Sequence, residues 1–396
     1  MKRKRRTIVF LASQAVTLFG STLVQMAIVW YVTLNTGEGA WIAAFTVAAY
    51  LPQFLISFLG GVWADRYNKK ALIIGSDVGI AVTTLGMWLC LPYLGETELM
   101  LPLLLAMSAL RSVGAGIQTP AVNALLPLLA PEDELMRYNG INATMQSVVQ
   151  FAAPAAAGAL LSFSTLGSVL LIDVLTAAVG IAIFSFVAVP RQLPAEKTSV
   201  FADIKLGTRY VLSDQLLRTL LVTYGLFIFF SVPAGFLAQL FVSRTFGETY
   251  WYLTAVEVVG FLGMMTGGIV MSTWGGFKKR STTLISALAL FGIVGVMMAL
   301  SGHFITYLAL MFIYGIPLTM IQTAVTTMIQ ENAEERMQGR VFGLLGTMYS
   351  GFLPVGMAVF GPLADTIPLK LIMIASGAVL MLLSACLFMK SRSRTG

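Results

Sequence analysis

The stretch Gly60-Gly61-Val62-Trp63-Ala64-Asp65-Arg66-Tyr67-Asn68-Lys69-Lys70 decides the fold. It is a short charged turn set between two apolar runs, 40–64 and 71–93. Each run is long enough to cross a bilayer, which takes roughly 20 apolar residues. Outward from that turn the pattern repeats along the whole chain. Twelve runs are read: 8–34, 40–64, 71–93, 99–129, 138–164, 167–189, 216–244, 250–274, 281–301, 304–330, 341–364 and 369–389. They are far longer than a barrel strand of about 10 residues, so helices are expected. Of the 396 residues 57% are apolar and 11% charged, against about 25% charged in a soluble domain. A soluble enzyme is thereby excluded. The run that follows Lys2-Arg3-Lys4-Arg5-Arg6 is too long for the apolar core of a signal peptide and is read as an uncleaved first helix.

Charge placement sets the orientation. With both termini cytoplasmic and twelve alternating helices, 22 of the 25 basic residues fall on the cytoplasmic side, all but Arg111, Arg244 and Lys370. This satisfies the positive-inside rule. The net charge of +7 is therefore a topology signal, and no nucleic-acid partner is expected. Cys90 and Cys386 fall near opposite faces and cannot pair. One histidine and two cysteines leave no basis for a metal site, and no cofactor is expected. The loops are too short for an ATPase domain.

The chain divides at 191–215, its longest polar stretch, which separates an N-terminal half (1–190) from a C-terminal half (216–396). Val200, Phe201, Ile204, Tyr210 and Val211 fit one face of a short helix, either on the membrane surface or in a plain linker. The halves resemble each other. Ile117-Gln118-Thr119 recurs as Ile321-Gln322-Thr323, Arg137 and Gly140 as Arg340 and Gly343, Gly60-Gly61 as Gly267-Gly268, and Lys69-Lys70 as Lys278-Lys279.

Polar residues inside the runs mark the candidate site. Arg111, about 18 Å down the fourth helix at 1.5 Å per residue, needs a partner or water. Asp77, at similar depth in the third run, is its candidate for a structural ion pair, and Gln118 lies two turns on along the same face. Asp173 and Glu257 are the other acids within spans. The first run carries Gln14, Thr17, Ser21 and Gln25 at spacings of 3, 4 and 4. The fifth repeats this with Asn139, Asn142, Gln146 and Gln150, and the tenth carries Thr319, Gln322, Thr326 and Gln330. Such stripes face protein or water, as interhelix contacts or cavity lining. Tyr224, Phe227, Phe230 and Met26 supply an apolar lining suited to amphipathic ligands of variable shape, with plain packing as the alternative for each.

Two six-span halves repeated in parallel resemble the major facilitator superfamily. The turn read from Gly61 resembles that family's G-x-x-x-D-R-x-x-(K/R)-(K/R) loop, with Asp65, Arg66, Lys69 and Lys70 in the matching positions. The resemblance implies a gating latch. Independently of it, Gly60 and Gly61 are expected to admit a close helix neighbour, Asp65 to sit at a helix N-terminus, and the cations to lie at headgroups. The second copy, Gly267 to Arg280, has Ser272 and Thr273 near the expected acid. Arg111 to Ala115 resembles the R-x-x-x-G pattern of proton-coupled members with Ala in the last place, and Gly114 one residue early. The family's cavity is lined by helices 1, 4, 7 and 10 and flanked by 2, 5, 8 and 11, which ranks Glu257 above Asp173 for proton coupling. The fifth run lacks the Gly-Pro pair of antiporters, while Gly361-Pro362 stands in the eleventh.

The finer likeness is to the macrolide-efflux branch. It rests on Gln14-Ala15-Val16 through Gln25-Met26-Ala27-Ile28, Arg111-Ser112-Val113-Gly114, Thr119 to Ala124, Pro131 to Leu135 and Gly339-Arg340-Val341-Phe342. The resemblance implies a bacterial inner-membrane exporter of drug-like compounds driven by the proton gradient, with a small-molecule substrate, the proton and the lipid bilayer as its partners; nothing in the sequence requires an oligomer, and a monomer is expected. An endogenous solute such as a siderophore, lysolipid or sugar is the alternative, and a membrane enzyme or receptor a remote one.

Overall fold

A computed structural model describes residues 2–94, 98–131, 134–189 and 200–392. The described residues form fourteen helices and no strand: α1 (Lys2–Thr36), α2 (Gly39–Arg66), α3 (Lys69–Leu94), α4 (Met100–Leu129), α5 (Leu135–Phe163), α6 (Leu166–Ser185), α7 (Val200–Ser213), α8 (Gln215–Gly235), α9 (Ala238–Phe246), α10 (Tyr250–Trp274), α11 (Arg280–Leu300), α12 (Phe304–Asn332), α13 (Glu335–Thr366) and α14 (Leu369–Arg392). Twelve spans are long and apolar enough to cross a membrane, with α8 and α9 together making the seventh. Leu55, Val82, Leu89, Leu110, Leu175, Ile269, Leu371 and Leu382 stand exposed on them, as lipid-facing side chains do. The chain is a multi-pass membrane protein.

The seventh span breaks at Phe236–Leu237, three residues beyond Pro233. The amides of Phe236 and Leu237 both turn back to the Val232 carbonyl, at 2.9 and 3.0 Å, and α9 starts afresh at Ala238.

Contacts divide the chain into two units, Met1–Val32 with Ala44–Lys197 and Thr33–Ala43 with Thr198–Gly396. In the first, α3 packs on α4 and α6. A Cβ on Gly60 of α2 would stand 2.5 Å from the Gly116 carbonyl oxygen of α4, so only glycine allows this approach. Gly61 has nothing within 4 Å, which corrects the expectation that both glycines serve the contact. One face of a helix meets one neighbour, and adjacent residues point about 100° apart.

The second unit repeats the scheme. There α11 packs on α14, and α10 on α12. A Cβ on Gly267 would stand 2.6 Å from the Ile316 carbonyl oxygen, while Gly268 is nearly open. The second unit also holds Thr33–Ala43, a part of the chain that a linear reading assigns elsewhere. The Asp365 carboxylate accepts from Gly39 N (2.7 Å) and Ala40 N (2.8 Å), capping the N-terminus of α2. Arg244 donates to Asp365 Oδ1, to the Gly37 carbonyl and to the Ala364 carbonyl, each at 2.6 Å. Gly37, at φ +63°, supplies the left-handed residue that ends α1.

The charged turns are tied to protein. Asn68 Oδ1 accepts from Lys70 N (2.9 Å) and Ala71 N (3.2 Å), starting α3. Lys70 Nζ donates to the carbonyls of Ser185 (2.7 Å) and Val187 (2.8 Å), where α6 ends and its dipole is negative. Lys69 is buried and Arg66 exposed. The headgroup contact expected of the three cations is thus corrected for Lys69 and Lys70, and the side chain of Asp65 lies outside the described residues. In the second unit Arg280 donates to the Gly275 carbonyl (2.8 Å) and pairs with Glu331 (3.2 Å).

The side of α7 with Gly207 and Val211 packs on protein. A Cβ on Gly207 would meet Arg340 Cβ at 3.0 Å, and the Tyr210 hydroxyl accepts from Glu334 N at the start of α13 (3.0 Å). This corrects the membrane-surface option for Val211. Residues 191–199, and the side chains of Val200, Phe201 and Ile204, lie outside the described residues.

Candidate functional site

The first unit encloses a cavity of about 380 Å³, walled by α1, α2, α4 and α5 with Ile80 of α3. Helical spacing brings the stripe of α1 to its wall as Gln14, Thr17, Ser21 and Gln25, with Met26 beside them. From α5 the wall takes Asn142, Gln146 and Gln150, and from α4 Arg111, Gln118 and Asn123.

Gln53 enters through an opened helix. Ser112 of α4 donates its hydroxyl to the Ala49 carbonyl of α2 (2.7 Å) and accepts from Gln53 N (2.9 Å). The hydroxyl thus stands where a direct bond from Gln53 N to Ala49 O would close the turn, next to Pro52, which has no N–H.

Arg111 is nine-tenths buried and the one charged residue in the lining. Its guanidinium forms an ion pair with Asp173 of α6 and a hydrogen bond with the Thr84 hydroxyl of α3. Thr84 Oγ1 is 3.0 Å from both Asp173 Oδ2 and the Ile80 carbonyl. On the other side of Asp173, a Cβ on Gly20 of α1 would meet Oδ1 at 3.1 Å and Thr176 Oγ1 at 2.0 Å. Asp173 is therefore reached by α1, α3 and α4, and its carboxylate offsets the charge that Arg111 brings to the wall. A buried charge needs such compensation. Asp77 is not the partner of Arg111. It accepts from Gln118 Nε2 at 2.6 Å, which corrects the expected pairing. Asp77 lies on the same face of α3 as Thr84 but two turns away, level with Gln118 and not with Arg111, so the similar depth expected of Asp77 and Arg111 is what the structure corrects.

Tyr224 and Phe227 are buried, and Phe227 meets Phe291 edge to face at 4.9 Å, so it serves as core packing. Phe230 joins Phe229 and Phe360, and Gln322 is exposed. Glu257 of α10 accepts from Gln239 Nε2 at 2.5 Å, across the break that starts α9. Gln239 Oε1 and the hydroxyl of Tyr307 have no partner among the described residues. Sequence reasoning did not single out Thr84, Gln53, Asn123 or Gln239. Asn123 belongs to a stripe with Ser108, Ser112 and Thr119 at spacings of 4, 7 and 4, and Thr84 lies seven residues from Asp77, so periodicity could have found both, while Asp173 and Glu257 were signals that partners had to exist.

The family model of the Major Facilitator Superfamily matches residues 10–353. The chain belongs to this superfamily of transporters. Macrolide efflux protein A of Streptococcus pyogenes is 28% identical over 375 residues, covering 93% of this chain and 92% of that protein. The multidrug efflux pump Tap of Mycolicibacterium fortuitum is 24% identical over 379 residues, covering 92% and 90%. Among solved structures, the nucleoside transporter NupG superposes with a TM-score of 0.74 at 12% identity, covering 98% of this chain and 99% of that one. A bacterial homologue of the iron transporter ferroportin gives 0.74 at 16% identity, covering 97% and 98%. The chain is thus a major facilitator transporter that resembles the macrolide-efflux branch.

Proposed function

We propose that this transporter exports amphipathic, drug-like compounds of macrolide type by proton antiport and alternating access. It works as a monomer of two six-span halves (1–190 and 216–396), in a bacterial inner membrane with both termini cytoplasmic. The observation that carries the proposal is the Arg111–Asp173 pair, whose cation lines the cavity while its anion stands behind the wall. The names of the relatives support the substrate class.

A proton on Asp173 removes the charge that offsets Arg111. The guanidinium then faces the cavity uncompensated, competes for the lining carboxamides and repels cationic ligands. Substrate affinity falls when the proton is bound, which is the opposition that antiport requires. Proton and substrate shift the conformational equilibrium only through their differential affinities for its states. The turn from Gly61 to Lys70, with Asp65, Arg66 and Lys69, acts as the gating loop between states. Glu257 is the second proton-carrying candidate, held by Gln239.

Purified protein in liposomes that enclose a pH dye tests this. Macrolide and lipophilic-cation gradients are imposed, and proton flux is recorded for the wild type, Asp173→Asn and Glu257→Gln. Substrate-dependent flux in the wild type that disappears in Asp173→Asn is expected. Flux kept in that variant and lost in Glu257→Gln moves the proton to Glu257. No flux with any compound, from folded protein, refutes the antiport and gives precedence to an endogenous solute.

A further inference from the structure

We infer that Asp77 is a proton-controlled positioning residue, whose carboxyl, from behind the cavity wall, sets whether Gln118 presents its carbonyl oxygen to a ligand. The inference goes beyond the export reading and does not rest on it. It starts from a charge count. Away from their ends, the spans of the first unit hold three charged side chains, Asp77, Arg111 and Asp173. One cation thus stands against two acids. Arg111 is taken by Asp173, with the Thr84 hydroxyl completing that contact. Asp77 is 5% exposed, and its partner is the neutral amide of Gln118, whose Nε2 donates to Oδ1 at 2.6 Å. The helices packed on α3 are α4 and α6. On α4 the charged residue is Arg111, seven residues and about 10 Å along the helix from Gln118. On α6 it is Asp173, level with Thr84 and so two turns of α3 from Asp77. On α3 itself the buried Lys69 lies eight residues, about 12 Å, before Asp77. A buried carboxylate with no countercharge at hand is costly, and taking up a proton removes that cost.

The two states of Asp77 ask different things of Gln118. Ionised, the carboxyl only accepts. It takes the Nε2–H of Gln118, and the amide carbonyl is left to the cavity. Protonated, the carboxyl is also a donor. The bond from Nε2 to Oδ1 stays, and a turn of the amide plane closes a second bond from the Oδ2 hydroxyl to Gln118 Oε1, the cyclic pair of an acid with an amide. Helix contact is close at this level. A Cβ on Gly114, one turn before Gln118, would stand 2.6 Å from the Ile80 side chain of α3. Gln118 lines the cavity and Asp77 does not. A proton behind the wall therefore withdraws an acceptor from the wall, and its loss returns that acceptor together with a negative charge. The deprotonated state favours a cationic ligand, so such a ligand binds more tightly as pH rises and releases a proton when it binds. The O–H bond of Asp77 is the one covalent bond that changes, and its proton goes to solvent.

Infrared difference spectroscopy of the full-length protein in lipid bilayers, with aspartate isotope-labelled at its side-chain carboxyl, tests the inference. In neutral buffer the wild type is expected to show the carbonyl band of a protonated aspartic carboxyl. That band is expected to be missing from Asp77→Asn and to fade from the wild type in alkaline buffer. In Gln118→Leu it should move to higher wavenumber, having lost its amide partner. Equilibrium binding of tetraphenylphosphonium, a lipophilic cation, gives the ligand-side readout. From acid to alkaline buffer its affinity should rise about threefold more for the wild type than for Asp77→Asn, the effect of one hydrogen-bond acceptor. Asp173 and Arg111 are the same in both proteins, so the difference reports Asp77. A merely structural Asp77 would move neither the band nor the pH response. An aspartic carboxyl band equal in wild type and Asp77→Asn overturns the inference. A band that Gln118→Leu leaves in place overturns the control of the amide, and equal pH responses of binding overturn its consequence for the ligand. Should Asp77→Asn fail to fold, the labelled wild type decides alone, since no protonated aspartic band in neutral buffer overturns the inference.

Discussion

Removing one member of the Arg111–Asp173 pair should be costly, and removing both should not. In Asp173→Leu the guanidinium, nine-tenths buried, loses its only carboxylate and keeps the Thr84 hydroxyl and the neutral amides of the wall, and in Arg111→Met the carboxylate, 1% exposed, keeps only that hydroxyl. An uncompensated buried charge costs about 3–5 kcal/mol, so each single variant should lose that much. Independent effects would then sum to about 6–10 kcal/mol in the double variant. The structure gives a reason for them not to sum. With both charges gone, no ion is left in the site, and Thr84 still has the Ile80 carbonyl at 3.0 Å to receive its proton. Arg111→Met/Asp173→Leu should therefore lie within about 2 kcal/mol of the wild type, a coupling of at least about 4 kcal/mol. Equilibrium unfolding of the purified protein in bicelles, titrated with a denaturing detergent and followed by tryptophan fluorescence, measures all four corners of the cycle. A double variant as unstable as the sum of the singles would refute the idea that these two charges compensate each other. The same four proteins separate stability from transport, because the double variant is expected to fold and yet to lose substrate-linked proton flux.

The glycine pairs give a sharper contrast at lower cost. Gly60→Val should lose about 1–3 kcal/mol by overpacking against Gly116, whereas Gly61→Ala should hold or gain up to about 1 kcal/mol in the same assay from helix propensity. Gly267→Val and Gly268→Ala should reproduce this contrast in the second unit, and a reversed order in either pair would contradict the packing described. Ser112→Val should cost about 1–3 kcal/mol, since Gln53 N loses its acceptor and the valine crowds the opened turn of α2. Faster hydrogen exchange at Gln53 in Ser112→Val, with the rest of α2 unchanged, reports it. Asp365→Ala should cost about 0.5–2 kcal/mol through loss of the cap on α2, with exchange at Gly39 and Ala40 rising first.

The twelve spans were legible because a bilayer demands long apolar runs, and the described helices match those runs within a few residues at most ends. The repeat was legible for the same kind of reason. Gly60 and Gly267 recur because each half needs one close crossing, of α2 on α4 and of α10 on α12, that no side chain permits. What periodicity could not supply was which member of each pair makes the contact. Gly60 and Gly61 are adjacent in sequence, and only the rotation of the finished helix decides between them. The break between α8 and α9 was not legible in the unbroken apolar run 216–244, and its consequence, a new helix start that brings Gln239 to Glu257, depends on where the chain resumes.

The site divides along the same line. Stripes at spacings of 3 and 4 put Gln14, Ser21, Gln25, Asn142 and Gln146 on shared faces, and those faces line one cavity in the structure. Pairings between helices were beyond such a rule. Asp77 and Asp173 are both buried acids of the first unit, and a depth counted from the ends of the apolar runs favoured Asp77. The choice falls to Asp173 because α6 brings it to the level of Thr84 and Arg111, where the three side chains meet, while Asp77 sits two turns along the same face of α3 and is taken up by Gln118. A charge in a span thus announces that a partner exists, and the partner's identity is a property of three helices at once. That is also why the carboxamides carry more information than the ions here. Arg111 and Asp173 satisfy each other, so what a ligand meets at the wall is chiefly amide, and the chemistry of the ligand follows from groups that still have bonds to make.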